Sequence, residues 1–123
     1  MDPCLVPGGH VFCTVDDAMA VQALPVALAS FREAEGMSLI LPVARAEALG
    51  LPIRDPMRCI TLRVNSALSG VGLTAAVAGA LAARGIACNM VAATCHDHVF
   101  VPAGRAEEAL ASLQALQASV AAG

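Results

Sequence analysis

Four adjacent residues, Cys95-His96-Asp97-His98, form the densest cluster of reactive side chains in the chain. Thiolate, imidazole and carboxylate are the groups that bind transition metals, and Cys with His can form a nucleophile and its base. On an extended chain, however, neighbouring side chains point apart. Cys95 and Asp97 therefore fall on one face, and His96 and His98 on the other. Adjacent Cys95 and His96 cannot meet as nucleophile and base. Two histidines leave a zinc site incomplete even with Cys88 nearby, unless a symmetric partner completes it. A polar tight turn accounts for the same letters, with Asp97 bonding backbone N–H groups. No metal, cofactor or catalytic residue is expected here, and the protein is not expected to be an enzyme.

The second chemical stretch is Asn65-Ser66-Ala67-Leu68-Ser69-Gly70-Val71. It joins an apolar run to a helix-like segment. The unpaired N–H groups and positive dipole end of a helix start favour a carboxylate. The side chains of Asn65, Ser66 and Ser69 add hydrogen bonds to a carboxylate or an ammonium. Simple helix capping is the other use of these residues. Gly70-x-Gly72-x-x-Ala75 also has the outline of a dinucleotide fingerprint. There the glycines follow the strand almost at once, with an acid about 20 residues on. Here five residues intervene and the next acid after the helix is Asp97, so a nucleotide fold is not expected.

Composition narrows the classes. The 123 residues are 58% hydrophobic, enough for one compact domain or two small fused units and too apolar for disorder. The net charge is −3, with seven basic residues, all Arg, and three aromatics, all Phe. Nucleic-acid binding needs a concentrated basic face and stacking surfaces, and is not expected. Five cysteines without a C-x-x-C pair, after a Met1-Asp2-Pro3 opening unlike a basic leader, point to a reducing cytoplasmic setting with mostly buried thiols. The uncharged stretch between Arg63 and Arg84 is twenty residues long, but Asn65, Ser66, Ser69, Thr74 and three glycines interrupt it, so no membrane span is expected.

The elements that must position these residues follow in order. Residues 1–9, with Pro3, Pro7, Gly8 and Gly9, read as an irregular lead-in. His10 to Val15 is a strand. Asp16-Asp17 caps a short helix to about Leu24, stopped by Pro25. Val26 to Arg32 alternates as a half-buried strand. Glu33 to Gly36 turns the chain, and Met37 to Leu41 returns antiparallel. A short helix follows Pro42 and ends at Gly50. Gly50 to Pro56 is linker-like. Met57 to Val64 is a strand. The helix from about Ser69, capped by Ser69 or Ser66, runs to Arg84 and stops at Gly85. Being apolar nearly all round, it should be covered on more than one face. Ala87 to Thr94 and His98 to Val101 are strands around a Cys95–Asp97 turn. A final helix runs from Gly104 to about Val120, with Ala106, Leu110, Leu113 and Leu116 as its apolar stripe.

An internal repeat divides the chain. Leu41-Pro42-Val43-Ala44-Arg45-Ala46-Glu47 matches Val101-Pro102-Ala103-Gly104-Arg105-Ala106-Glu107 at an offset of sixty. Each copy ends a strand, passes a proline and opens a helix, where the missing N–H is harmless. The expected class is α+β: two tandem ferredoxin-like units (βαββαβ) with antiparallel sheets and helices packed on one face. Residues 1–50 form a degenerate first unit, 51–56 a linker and 57–123 the second unit. The strands are too few for two complete units, so sharing across them is expected, with Met57 to Val64 near the junction.

The stretch Leu62 to Leu73, followed by Leu81 to Met90, resembles an ACT domain, a small ferredoxin-like module that binds amino acids and regulates metabolic enzymes. Gly70 opens the helix and Gly85-Ile86 enters the next strand as in that family, with Asn89 one position later than usual. Asn89 to Pro102 followed by Arg105-Ala106-Glu107 is similar to the free-standing tandem ACT proteins of bacteria. The resemblance runs from about His10 to Leu116. It implies an amino acid or related small metabolite as ligand, bound between the strand–helix turn and the second strand of a neighbouring unit. Carried onto this sequence, the contacts are Asn65, Ser66, Leu68, Ser69, Gly70, Val71, Asn89, His96 and His98. A homodimer and an unidentified regulated protein, acted on in trans, complete the expectation. The alternatives are an interaction module without ligand, and a small enzyme or metal site at the Cys95–His98 turn.

Overall fold

The protein is described by a computed structural model covering residues 1–63 and 71–122, the last three by backbone only. Two compact units emerge, Gly8–Met57 and a second made of Met1–Pro7 with Arg58–Gly123.

In the first unit, strand β2 (His10–Val15) leads into helix α1 (Asp17–Ala23), followed by β3 (Ala29–Glu33), β4 (Gly36–Pro42) and α2 (Val43–Ala48). The strand order is β3–β4–β2, antiparallel throughout. Period-2 alternation sets the inner face. Val11 and Val15 on β2, with Met37, Leu39 and Leu41 on β4, pack against Ala20 and Ala23 of α1 and Ala46 of α2. Asp16 caps α1 as expected, its Oδ1 accepting the Met19 N–H at 2.9 Å. The β3–β4 hairpin is tight, with Glu33 opposite Gly36.

One expectation is corrected here. Val26 does not begin a strand, because Pro25 starts a turn of 3-10 helix over Leu24–Val26. The strand that follows is not half-buried. Among the described residues it pairs only with β4, and Phe31 is 73% exposed.

The second unit consists of β1 (Pro3–Leu5), β5 (Met57–Arg63, less its first residue), α3 (Leu73–Ala83), β6 (Asn89–Ala92), β7 (His96–Pro102) and α4 (Ala106–Ala122). The expected irregular lead-in is wrong: residues 3–5 form a strand paired antiparallel with β5, Cys4 opposite Thr61. The pairing continues as Val6 N–H donates to the Cys59 carbonyl at 2.9 Å and Arg63 N–H to that of Asp2 at 3.3 Å. Pro3 hides this strand from propensity, yet proline is tolerated where a strand begins. The order β1–β5–β7–β6 places β1 where a closing strand after α4 would stand in a βαββαβ unit. The unit's core gathers Ile60, Leu62, Val99 and Val101 from the sheet under Leu73, Val77, Leu81, Ala109 and Leu113 from α3 and α4. Arg105 joins the helices, its Nη2 donating to the Arg84 carbonyl at 3.0 Å beyond the end of α3.

The repeat holds in backbone geometry. Pro42 (φ −55, ψ 138) and Pro102 (φ −53, ψ 136) adopt one conformation, although α4 opens through a 3-10 turn at Ala103–Arg105. Two boundaries move. Helix α3 starts later than expected, with Gly72 at its N-cap (φ 103) rather than a serine; Ser66 and Ser69 lie outside the described residues. Its buried residues Leu73, Val77 and Leu81 share one face, and Ala75 and Ala82 are exposed, so within this unit it is covered on one side only. The last hairpin turns earlier, because Ala93 N–H donates to the His96 carbonyl at 3.0 Å and His96 already belongs to β7.

Candidate functional site

The sheet of the second unit has a helix-covered face and an opposite one. Val99 and Val101 point into the core beneath α3 and α4, so His96 and His98 point the other way. His98 sits opposite Val91 and Asn89 opposite Phe100, which places Asn89, His96 and His98 on the same face. His98 is half-buried, and its Nδ1 lies 3.1 Å from the Thr61 hydroxyl of β5. That bond fixes the ring and leaves Nε2 as its other polar atom. Asn89 and His96 are exposed. Val71, just before α3, is also fully exposed. Asn65, Ser66, Leu68, Ser69 and Gly70 lie outside the described residues.

The cysteines are all free. Burial pushes the thiols of Cys13, Cys59 and Cys88 up; at Cys59 a contact with Thr61 Oγ1 at 4.0 Å partly opposes this. Cys95 is exposed in the turn. No group of three or more His, Cys, Asp or Glu side chains gathers at metal-binding distance among the described residues.

Sequence reasoning missed a cleft in the first unit. It has a volume of about 440 Å³ and lies where β2 hands over to α1. Thr14, Val15 and Asp16 form the strand side, and Ala18, Met19 and Gln22 present one face of α1. Leu51, held by its N–H bond to the Ala46 carbonyl at 3.0 Å, closes the third side. β2 is the first strand of its βαββα run, as β5 is of the second, so this is the same topological position as the Asn65–Gly70 stretch. The signal was the Asp16-Asp17 pair after a strand, which the capping explanation absorbed.

Two βαββα runs, with antiparallel sheets and helices on one face, define a tandem of ferredoxin-like modules. Two models of the ACT domain match the chain, one over residues 1–58 and the other over residues 55–115. A protein of unknown function from Vibrio cholerae, described as a possible transport protein, is 43% identical, with a TM-score of 0.80 over 90% of this chain and 85% of that one. The chain therefore belongs to the ACT-domain family, a class of regulatory, ligand-binding modules.

More distant structures share the fold. An Agrobacterium tumefaciens protein is 19% identical, with a TM-score of 0.72 over 93% of this chain and 87% of its own. The ligand-free regulatory subunit of aspartate kinase from Thermus thermophilus is 16% identical, with a TM-score of 0.69 over 93% and 95% of the two chains. No functionally curated protein matches. Among the described residues no helix is long and apolar enough to cross a membrane.

Proposed function

We propose that this protein is a non-catalytic sensor that binds an amino acid or a closely related metabolite at its strand–helix turns and passes the bound state to a partner protein in trans. The observation that carries this reading is the cleft where β2 meets α1. Its volume of about 440 Å³ lies within the roughly 300–1,000 Å³ of small-molecule sites. Its mixture of apolar walls with a few polar groups is the usual make-up of such sites. In the second unit the corresponding contacts are Asn65, Ser66, Leu68, Ser69, Gly70 and Val71, with Asn89, His96 and His98 from the sheet.

A homodimer in the cytoplasm is part of the proposal. The exposed apolar side chains Val21, Leu28 and Phe31 favour association, and five unpaired cysteines suit a reducing compartment.

A thermal-shift screen against the twenty amino acids, common metabolites and zinc tests the reading. A ligand at a hundred times its Kd stabilises by about 2.7 kcal/mol, several degrees for a chain of this size. An amino acid that raises the midpoint, with the rise weakened by Ser69→Ala or Asn65→Ala, supports the sensor. A response to zinc alone moves the site to the Cys95–His98 turn, and no response to any compound overturns ligand binding.

A further inference from the structure

We propose that His96 and His98 form half of a transition-metal site, and that one zinc-class ion joins two copies of the chain through these pairs. Metal binding here is independent of the first-unit cleft and its ligand.

The strand supplies the spacing. His96 and His98 are two apart on β7 and share the face of the sheet opposite the helices. Two residues of extended chain set their Cα atoms about 6.5–7 Å apart. Imidazole nitrogens bind zinc at about 2.0–2.1 Å, so two rings leaning together from that spacing can hold one ion. His96 is exposed and free to turn. The pair stands at the hairpin end of β7, one strand in from the edge at β6.

His98 is held as a metal ligand is held. Its Nδ1 lies 3.1 Å from the Thr61 hydroxyl. That oxygen has lone pairs to accept a ring N–H, and its own hydrogen has the Cys59 sulfur 4.0 Å away as a second partner. With the ring proton on Nδ1 and donated to Thr61, the lone pair stands on Nε2. A ring tied through one nitrogen presents the other at a fixed angle and makes it a more basic ligand. Loss of such a partner costs metal affinity about 10–100-fold.

The same face also shows why one chain is not enough. No third His, Cys, Asp or Glu side chain joins the pair among the described residues. The Cys59 thiol shares the face but is buried, and Cys95 lies in the turn before β7. Zinc in a closed site takes four ligands, and each chain offers two. A twofold axis sets a patch against its own copy, so two such pairs complete a tetrahedral set of imidazoles. Imidazole suits zinc, nickel and copper, whereas magnesium and calcium take oxygen ligands.

Calorimetric titration of the metal-free full chain with zinc chloride tests the site, with cobalt absorption to read the ligand type. Wild type should take up about half an equivalent of zinc per chain. The cobalt spectrum should lack a thiolate charge-transfer band. His96→Ala, at an exposed position, should abolish uptake. Thr61→Val keeps the shape and both imidazoles, and should weaken zinc about 10–100-fold. Cys95→Ser should change neither affinity nor stoichiometry.

One equivalent of zinc per chain overturns the shared ion. Uptake that survives His96→Ala, or that Cys95→Ser removes, overturns the histidine pair. Wild-type affinity in Thr61→Val overturns the positioning of His98, and no zinc uptake at all overturns the whole site. The amino-acid screen, run on chelator-treated protein, is decided separately.

Discussion

Gly36 tests the packing that shapes the strand side of the cleft. It opens β4 at φ +145, a backbone conformation in which side-chain-bearing residues are strained. A Cβ added there would stand 2.7 Å from the Val15 carbonyl oxygen and 3.1 Å from the Thr14 Cγ2. The first contact is with backbone, so relief requires β2 to move at the residues that wall the cleft. A sparsely populated conformation costs about 1–3 kcal/mol, and overpacking a further 1–3 kcal/mol. Gly36→Ala should therefore destabilise by about 2–6 kcal/mol, measured by urea denaturation followed by circular dichroism with the slope unchanged. The control is Gly79→Ala in the middle of α3, where an added Cβ meets nothing within 4 Å. That change should stabilise by about 0.5–1 kcal/mol through helix propensity. If Gly36→Ala falls within about 0.5 kcal/mol of the wild type, the close approach of Gly36 to Val15 is wrong, and with it the shape of the cleft.

Two other outcomes follow from local electrostatics. Hydrogen bonding to Arg105, with Nη2 to Oε2 at 2.9 Å, holds the Glu108 carboxyl below its ordinary range. Its value is lower folded than unfolded, so its stabilising contribution is present at neutral pH and is lost as pH falls through the folded value. Glu108→Gln should flatten the acid limb of the stability–pH curve and leave the neutral region's slope unchanged; an unaltered acid limb counts against the pair. With a disulfide reagent, Cys95 should react first and buried Cys59 last, because burial and a raised thiol both slow attack. A fast phase that survives Cys95→Ser would refute that order.

Much of the architecture was legible in the letters. Alternation in His10 to Val15 and Met37 to Leu41 matches the inner faces of β2 and β4, and Asp16 caps α1. The Pro-x-x-Arg-Ala-Glu repeat placed two strand ends and two helix openings. These signals are local, set by side-chain period, capping and proline geometry, and need nothing from distant residues. The cysteine–histidine turn was read two residues late, because hairpin closure depends on which backbone groups bond across it.

The sequence alone determined the class: two ferredoxin-like units in tandem, the polarity pattern of their strands, and the charge of each strand–helix turn. Tertiary structure decided what depends on partners far along the chain. Pro3–Leu5 became a strand only because β5 offers it an open edge, and it belongs with residues more than fifty positions away. The cleft exists because Leu51, beyond α2, comes to lie beside β2 and α1. His98 is oriented because β5 sets the Thr61 hydroxyl against its ring. Local rules fix which face a residue takes, but a pocket needs several faces brought together, and only the folded chain supplies that.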